Sequence, residues 1–372
     1  MKAIFANFCA PKPMIKLLIG GALLVVAAGA NAADFKVAFG SCAYETEPQP
    51  IWDDIIAKQP DVFLFIGDNQ YADVQYDANG KRVSGPVTDP KRFKEAYDAV
   101  SAKPGFQTLK ATTPIMGTWD DHDYGDNDAG KEFPLKKESQ QAFLDFFGFA
   151  TDDPIRNQEG IYHSKIFEDE GRRVQIIMLD TRYHRDALNK RPGPRPEGFG
   201  SYLPTADKSR TMLGEAQWLW LTKQLLMPAD VRIIVSSIQV VAYEHRWESW
   251  GNLPHERDLL YKVIEQTQAE NTFFLSGDRH LMEISRDVGQ KNDKVPYPMW
   301  DFTASGMTQK YSEVNEANSF RVGEVVRDTH YGLVEIDWAE DIKQSKVTFT
   351  AYGLGNKVFD QQSFYLSELS FN

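Results

Sequence analysis

Four clusters of polar side chains contain most of the residue types in this chain that could bind metal ions. The clusters are residues 40–42, 67–73, 119–128 and 276–280, and they follow the apolar runs 35–39, 62–66, 114–117 and 272–275. Their carboxylates, imidazoles, phenols and thiol are all metal ligands, and so many adjacent anions would repel one another without a cation. Any one cluster is equally well explained as a turn or a solvated loop. The recurrence of the pattern in all four favours a metal site.

The same pattern predicts that the four clusters lie close together. Short apolar runs of this kind are typical of buried strands, and the carboxyl ends of the strands of an open α/β sheet lie at one edge. In the last cluster His280 comes two residues after Asp278, so both side chains point the same way on an extended segment. We therefore expect one crevice that gathers side chains from distant parts of the sequence.

The cysteine content is consistent with a metal ligand at Cys42. The chain has two cysteines, and Cys9 falls in the N-terminal segment that we expect to be removed. A single thiol in an oxidising compartment is buried, metal-bound or catalytic. Its position just after an apolar run favours a ligand, although a buried cysteine that only packs is common.

The first 32 residues are predicted to form a secretory signal peptide. Three lysines precede the apolar run 17–28, and residues 30–32 form a small-x-small cleavage site. A retained membrane anchor is the alternative, but the run is shorter than the ~20 apolar residues that a span needs. We expect a periplasmic or extracellular protein that starts near Ala33 and has no stable membrane span.

Composition and charge narrow the possible functions. The chain has 372 residues, of which 42% are hydrophobic and 25% charged, as in a folded globular protein. Its formal net charge is −12, and loss of the signal peptide would remove three lysines and no acid. A nucleic-acid scaffold is disfavoured, and a phosphate-bearing substrate would need a local cationic centre such as bound metal ions.

Alternating strands and helices predict an α/β core. Further buried strands are expected at 174–179 and 231–235, and helices at 138–147, 215–226 and 256–267. Residues 332–338 and 346–352 alternate as antiparallel strands do, which predicts a second sheet or an extension of the first. Residues 76–89 and 189–208 are predicted to be long polar loops.

The combined motifs resemble a known family. Gly-Ser-Cys, Gly-Asp-x-x-Tyr, Trp-Asp-Asp-His-Asp and Ser-Gly-Asp-Arg-His resemble motifs of the PhoD-like alkaline phosphatases/phosphodiesterases, a branch of the calcineurin-like metallophosphoesterases. The resemblance continues through residues 180–183, 214–219, 237–240 and 250–252. It implies one domain over residues 33–372, folded as a four-layer αββα sandwich with metals at the carboxyl edge of the strands.

The resemblance also implies a role for each site residue. Cys42 and Tyr71 would bind Fe3+ as thiolate and phenolate, Asp68 would bridge two metals, and Asp121, Asp278 and His280 would be the remaining ligands. Carboxylates in place of imidazoles favour Ca2+ at the second site. His122 would protonate the leaving group and Arg182 would stabilise phosphate charge. Asp120 competes with Asp121 as a ligand, and Asn127 and Gln239 would have a supporting or phosphate-contacting place.

The implied activity is hydrolysis of a phosphate ester by a metal-bound hydroxide. Monoesters and diesters, of small molecules or of lipids as in a phospholipase-type phosphodiesterase, fit the same chemistry. One alternative is a cysteine hydrolase that uses Cys42 with His122 or His280, although it leaves the many aspartates unexplained. Another is a secreted module that holds metal without turnover. The aromatic segment 243–261 is either a lid, an apolar leaving-group pocket or simple packing.

Overall fold

The computed structural model of the protein describes residues 35–77, 79–291, 295–309 and 314–371. The strands are β1 (Phe35–Gly40), β2 (Val62–Ile66), β3 (Val74–Tyr76), β4 (Arg82–Ser84), β5 (Ile115–Thr118), β6 (His163–Asp169), β7 (Arg172–Met178), β8 (Val231–Ser236), β9 (Thr272–Ser276), β10 (Met282–Asp287), β11 (Met299–Ala304), β12 (Arg321–Val326), β13 (His330–Asp337), β14 (Lys346–Gly353) and β15 (Val358–Tyr365). The helices are α1 (Ile51–Ala57), α2 (Lys91–Ser101), α3 (Pro104–Thr112), α4 (Asp121–Tyr124), α5 (Lys136–Phe146), α6 (Gly214–Leu225) and α7 (Pro254–Gln266).

Two sheets form the centre of the molecule. The first has the order β15-β14-β13-β1-β2-β5, in which β1, β2 and β5 are parallel and β13 to β15 are antiparallel. The second has the order β12-β10-β11-β9-β8-β7-β6, with β7, β8, β9 and β11 parallel. The C-terminal strands therefore extend the first sheet, which resolves the choice that the sequence left open.

The sheets pack face to face because their strands are apolar on both faces. In the first sheet Val37 and Phe39 face the second sheet, while the alternate residue Ala38 packs with the helices on the outer side. Phe302 of β11 stacks on Phe349 of β14 with ring centroids 4.5 Å apart, so the two sheets share one core. This is the sandwich arrangement expected for strands whose two faces are both covered.

Helices cover the outer face of each sheet. On α2 the buried residues Phe93, Ala96, Tyr97 and Val100 follow the spacing of one helical face. Helices α1, α2, α3 and α5 contribute to the core on the first sheet, and α6 and α7 contribute apolar residues to the core with the second sheet. The predicted four-layer αββα sandwich is confirmed.

The three predicted helices are present with ends within two residues of the predicted ones. The predicted loop 76–89 instead contains β4, which pairs with β3 as a short hairpin. The predicted signal peptide lies outside the described residues and stays a prediction, as does the division into signal peptide and one domain. In the part of the chain that the structure describes, no helix is long and apolar enough to cross a membrane.

Candidate metal centre

The predicted ligands come from loops at the carboxyl ends of four parallel strands. Cys42 follows β1, Asp68 follows β2, Asp121 begins α4 after β5, and Asp278 follows β9. Three of these strands belong to the first sheet and β9 belongs to the second. The centre therefore lies at one edge of the sandwich, where both sheets contribute, as the strand order predicts.

Four predicted ligands have a positive φ angle, a backbone conformation that residues other than glycine rarely adopt. The φ angles are 59° at Cys42, 49° at Asp68, 71° at Asp278 and 52° at His280. Such conformations cost on the order of 1–3 kcal/mol each and persist only where the surrounding structure enforces them. At Cys42 and Asp68 the enforcement is visible, because Ala43 N–H donates to the Asp68 carbonyl at 2.9 Å. Four of the predicted ligands therefore lie at strained positions of these loops.

Two glycines allow these loops to approach each other. A Cβ at Gly277 would lie 2.6 Å from Ser41 Oγ and 3.0 Å from the Ile66 carbonyl oxygen, so only glycine lets the β9 loop reach the first sheet. A Cβ at Gly67, whose φ is +109°, would lie 2.7 Å from the Cβ of Asp120. The motif glycines thus set the distance between the loops that carry the ligands.

One group of ligands surrounds a single carboxylate oxygen. The Cys42 thiol donates to Asp68 Oδ2 at 3.5 Å and the Tyr71 hydroxyl donates to the same oxygen at 3.2 Å. The Tyr71 hydroxyl also lies 3.5 Å from Nε2 of His280. All four side chains are buried or nearly so. Donor atoms of Cys42, Asp68 and His280 lie within 4.8 Å of one another, close enough to hold one metal ion.

A second group shares Asp68 and consists mainly of carboxylates. Donor atoms of Asp68, Asp121 and His122 lie within 4.8 Å of one another, as do those of Asp120, Asp121 and Asp278. Asp121 is oriented by two backbone N–H donors, from His122 at 2.9 Å and from Asp128 at 2.8 Å. Oδ2 of Asp120 and Oδ2 of Asp278 are buried and accept no hydrogen bond within the described residues. Both oxygens are therefore candidate ligand atoms, and the Arg279 guanidinium lies 3.7 Å from that of Asp278.

The buried charges of this site need a counter-charge. Burial and the neighbouring Asp68 raise the pKa of the Cys42 thiol and of the Tyr71 phenol well above their usual values. Burial likewise raises the pKa of Asp68 and Asp278, and it raises the pKa of Asp120 to about 7. A bound cation would lower these pKa values again, because it stabilises the anionic form of each ligand.

His280 is already in the form that binds metal. Burial, followed by the positive charges of His122 and Arg279, lowers the pKa of His280 to about 3. Its imidazole is therefore neutral at ordinary pH, which is the ligand form of histidine.

His122 is held by a carboxylate that the sequence analysis did not single out. Its Nδ1 lies 2.8 Å from Asp73 Oδ1 and 2.9 Å from Asp73 Oδ2, and its ring packs against Tyr71 with centroids 4.2 Å apart and an interplanar angle of 31°. A carboxylate only accepts, so Nδ1 carries the proton and donates it. Within the described residues nothing hydrogen-bonds Nε2. Burial lowers the pKa of His122, but Asp121, Asp68 and Asp73 outweigh it and raise that pKa overall.

Arg182 lies behind the ligands in a buried ion-pair network. Its Nε donates to Asp120 Oδ1 at 2.8 Å, and a second nitrogen makes a short contact with the same oxygen. Another nitrogen donates to Glu248 Oε1 at 2.8 Å and to the Ala129 carbonyl at 3.3 Å. The side chain is fully buried. The geometry makes Arg182 a positioning residue for Asp120, and its predicted contact with phosphate stays a prediction.

Glu248 and Asp128 extend this network and were not predicted as site residues. Glu248 is bound by Arg182 and by Arg185, whose guanidinium lies 3.0 Å away. Asp128 accepts a short hydrogen bond from Tyr202, and donor atoms of Asp121, Asp128 and Glu248 lie within 4.8 Å of one another. Asp128 stands at the end of the third polar cluster and could have been suspected from the sequence. Glu248 follows no strand and carried no such signal.

Asn127 and Gln239, the residues with a predicted supporting or phosphate-contacting place, are in no group of candidate ligands among the described residues. Asn127 is exposed. Gln239 is buried and donates to Glu283 at 2.7 Å and to Thr303 at 2.9 Å. In the aromatic segment Trp250 is buried and donates to Ser236, which is core packing, whereas Trp247 is only partly buried.

The family-model comparison identifies the chain as a relative of known phosphatases. The model of the PhoD-like phosphatases matches residues 36–346, a range that contains every predicted site residue. The chain belongs to the PhoD-like phosphatase family. The resemblance seen in the motifs is thereby confirmed.

Individual relatives of the family are distant. Alkaline phosphatase D of Bacillus subtilis (strain 168) is 24% identical over 288 residues, which cover 70% of this chain and 48% of that protein. The chain thus spans about half the length of this curated relative. The solved structure of PhoD superposes with a TM-score of 0.71 at 17% identity, covering 92% of this chain and 72% of the other.

A second solved structure shows the same fold. Purple acid phosphatase PPD1 from yellow lupin (Lupinus luteus) seeds superposes with a TM-score of 0.57 at 12% identity, over 90% of this chain and 54% of the other. At these identities the two structural matches show only that the fold is of the metallophosphoesterase type.

Proposed function

We propose that this protein is an exported, metal-dependent hydrolase of phosphate esters. The observation that carries the proposal is the convergence of Cys42, Tyr71 and His280 on Asp68, whose carboxylate also lies within 4.8 Å of a carboxylate oxygen of Asp121. A bridging carboxylate between two ligand sets is the arrangement needed for a pair of metal ions. The relative from Bacillus subtilis is an alkaline phosphatase, which supports the same reaction.

The donor atoms fit the two ions that the motifs implied. Cys42, Tyr71, His280 and Asp68 offer sulfur, phenolate, imidazole and carboxylate, and this set would hold Fe3+. Asp68, Asp121 and Asp278 offer carboxylate oxygens and would hold a hard cation such as Ca2+; one of these oxygens accepts no hydrogen bond from the described residues. When bound, such ions supply positive charge for the phosphate oxygens and acidify a water molecule.

His122 would supply the proton that the departing alcohol needs. Asp73 accepts the Nδ1–H of its ring, so this hydrogen bond and packing against Tyr71 fix the direction in which Nε2 points. A general acid in this position contributes roughly 10²–10⁴ in rate. Arg182 acts on the site through Asp120, which it orients from behind.

The alternative of a cysteine hydrolase is disfavoured by the surroundings of Cys42. A nucleophilic cysteine needs a lowered pKa and access to substrate. Cys42 is fully buried, and burial together with Asp68 raises the pKa of its thiol.

The proposal is tested by metal analysis and by rates on chromogenic phosphate monoesters and diesters and on a phospholipid. We expect iron and a second metal in the purified protein and turnover that a chelator abolishes. Asp68→Ala should lose activity by more than about 10³-fold and lose metal while keeping its far-ultraviolet circular dichroism spectrum. Asp53→Ala, which removes an exposed carboxylate of α1, is the matched control.

Near-normal turnover by Asp68→Ala would show that the centre is misplaced. Bound metal without turnover of any ester would favour the metal-holding module instead. The relative rates on the three ester types decide the substrate class.

A further inference from the structure

A cavity of about 410 Å³ lies next to the candidate metal centre. Its walls come from three separate segments: the stretch 195–199 of the long polar loop, Trp247 from the aromatic segment, and residues 315–316. None of these residues is among the predicted metal ligands, and nothing in the proposed chemistry uses them.

Two lining residues connect the cavity to the candidate metal centre, one along the chain and one through an ion pair. Trp247 precedes Glu248, whose carboxylate lies in one group with Asp121 and Asp128. Glu316 makes a short ion pair with Arg279, and Arg279 stands between the ligands Asp278 and His280, with its guanidinium 3.7 Å from Asp278 Oδ2. A phosphate held at the ligands would therefore place the rest of the ester near this cavity.

The cavity is preformed. Gly200 N–H donates to the His245 carbonyl at 2.6 Å and Tyr202 N–H donates to the Arg246 carbonyl at 2.9 Å, so the polar loop is fastened to the aromatic segment. A Cβ at Gly200 would lie 2.3 Å from the Arg246 carbonyl oxygen, which shows how closely the two backbones approach. A ligand can bind to such a site without the entropy cost of ordering the two segments first.

The lining indicates what kind of group would fit. Phe199 and Trp247 contribute flat rings, and the guanidinium groups of Arg195 and Arg279 lie 4.5 Å and 5.0 Å from the centre of the Trp247 ring. Planar rings pack well against aromatic and guanidinium faces. The side chain of Glu316 is 9% exposed, and its Oε2 accepts no hydrogen bond within the described residues. That oxygen is available to a donor on a ligand.

A long alkyl chain would suit this cavity poorly. It would cover Arg195, Glu197 and Glu316 without offering them hydrogen bonds, and the loss of water from such groups is costly. A ring that carries N–H or O–H donors can stack on the flat side chains and also satisfy the free carboxylate oxygen.

We propose that this cavity binds the alcohol part of the phosphate ester and selects alcohols with a planar, hydrogen-bonding ring, as in a nucleoside 5′-monophosphate. The inference rests on the proposed function, because it assigns the substrate class of the same centre. It makes Trp247 a specificity-determining residue.

The test compares adenosine 5′-monophosphate with glycerol 3-phosphate, since both are esters of primary alcohols and differ in the ring. Trp247→Ala should lower kcat/KM for the nucleotide about tenfold or more, the loss expected when a base loses its stacking partner. We expect kcat/KM for glycerol 3-phosphate to stay within about twofold, and Trp247→Phe to recover most of the nucleotide activity. Inhibition by inorganic phosphate should not change, because phosphate binds at the metals.

Trp220→Ala is the matched control, because Trp220 is another partly exposed tryptophan and lines a different cavity on α6. Equal losses on both esters, or no loss on either, would overturn the inference while leaving the hydrolase intact. If the wild-type protein turns over neither of these monoesters, calorimetric titration with adenosine decides the cavity separately. The proposed function fails only if diesters and the phospholipid are not hydrolysed either. Binding to wild type but not to Trp247→Ala supports the cavity, and equal or absent binding rejects it.

Discussion

Replacement of Arg182 by methionine separates two roles that this residue could have. The sequence predicts that Arg182 stabilises charge on the phosphate, whereas its fully buried guanidinium binds Asp120 and Glu248 behind the ligands. Methionine fills a similar volume and removes only the charge and the donors. If Arg182 mainly stabilises the buried ion-pair network, Arg182→Met should chiefly lower the free energy of unfolding.

The size of the effect follows from the partners that remain. Removal of one member of a buried ion pair costs about 3–5 kcal/mol, because the other charge is left without compensation. Here Asp120 keeps a hydrogen bond from Ser237 at 2.7 Å, and Glu248 keeps Arg185 at 3.0 Å. The pKa of Asp120 is already about 7, so without Arg182 this carboxyl takes up a proton instead of staying charged. We therefore expect the lower end of the range, about 3 kcal/mol.

The assay is urea unfolding of the metal-free protein at pH 7, followed by tryptophan fluorescence, because metal binding then cannot contribute. Arg173→Met is the matched control. It breaks a surface ion pair in which Arg173 is 42% exposed and Glu168 54%, a kind of pair worth at most about 1 kcal/mol. An unchanged free energy of unfolding for Arg182→Met, with kcat/KM reduced a hundredfold and metal content intact, would refute the positioning role and support contact with substrate.

Three further predictions address the ligands, the proton donor and the pH dependence of stability. If Tyr71 and Cys42 bind Fe3+, the loaded protein absorbs visible light by charge transfer, and Tyr71→Phe should remove or shift that band; a colourless, fully active protein without iron contradicts the assignment. His122→Asn and Asp73→Asn should both slow esters of alkyl alcohols by roughly 10²-fold or more and activated aryl esters much less, and equal losses on both would withdraw the general acid. Burial lowers the pKa of His330 to about 4, against about 6.5 in an unfolded chain, so between these values the unfolded state binds more protons and stability falls as pH drops. Between pH 7 and pH 4.5 the free energy of unfolding of His330→Gln, measured by denaturant titration, should therefore fall by about 2–3 kcal/mol less than that of wild type. Parallel pH profiles of the two proteins would contradict this.

Much of the fold and most of the centre were predictable because the signals were local. An apolar run such as 62–66, followed by Gly67 and Asp68, predicts both a buried strand and a polar loop at its end. The parallel arrangement of such strands then brings the loops together, whatever the sequence distance between them. For this reason Cys42, Asp68 and Asp278, each carried by a different strand end, could be placed in one site before the structure was known.

The sheet to which an amphipathic strand belongs could not be predicted from the neighbouring residues in the sequence. Residues 332–338 show the alternation of an antiparallel strand, but alternation is the same at the edge of an existing sheet and in a new one. Pairing of β13 with β1 along the first sheet decided the matter. The hairpin β3–β4 was missed for a related reason, since its strands are three residues long and its exposed side chains show no apolar pattern.

What the sequence by itself determined is the set of ligand types and the strand ends that carry them, because each depends on neighbouring residues. What only the tertiary structure decided is which charges meet behind those ligands. Asp73 orients His122 across 49 positions of the chain, and Glu248 meets Arg182 across 66. A buried charge must find a partner wherever packing brings one, and no spacing rule records that partner. The cavity beside Trp247 has the same origin, because three segments far apart in the sequence enclose it.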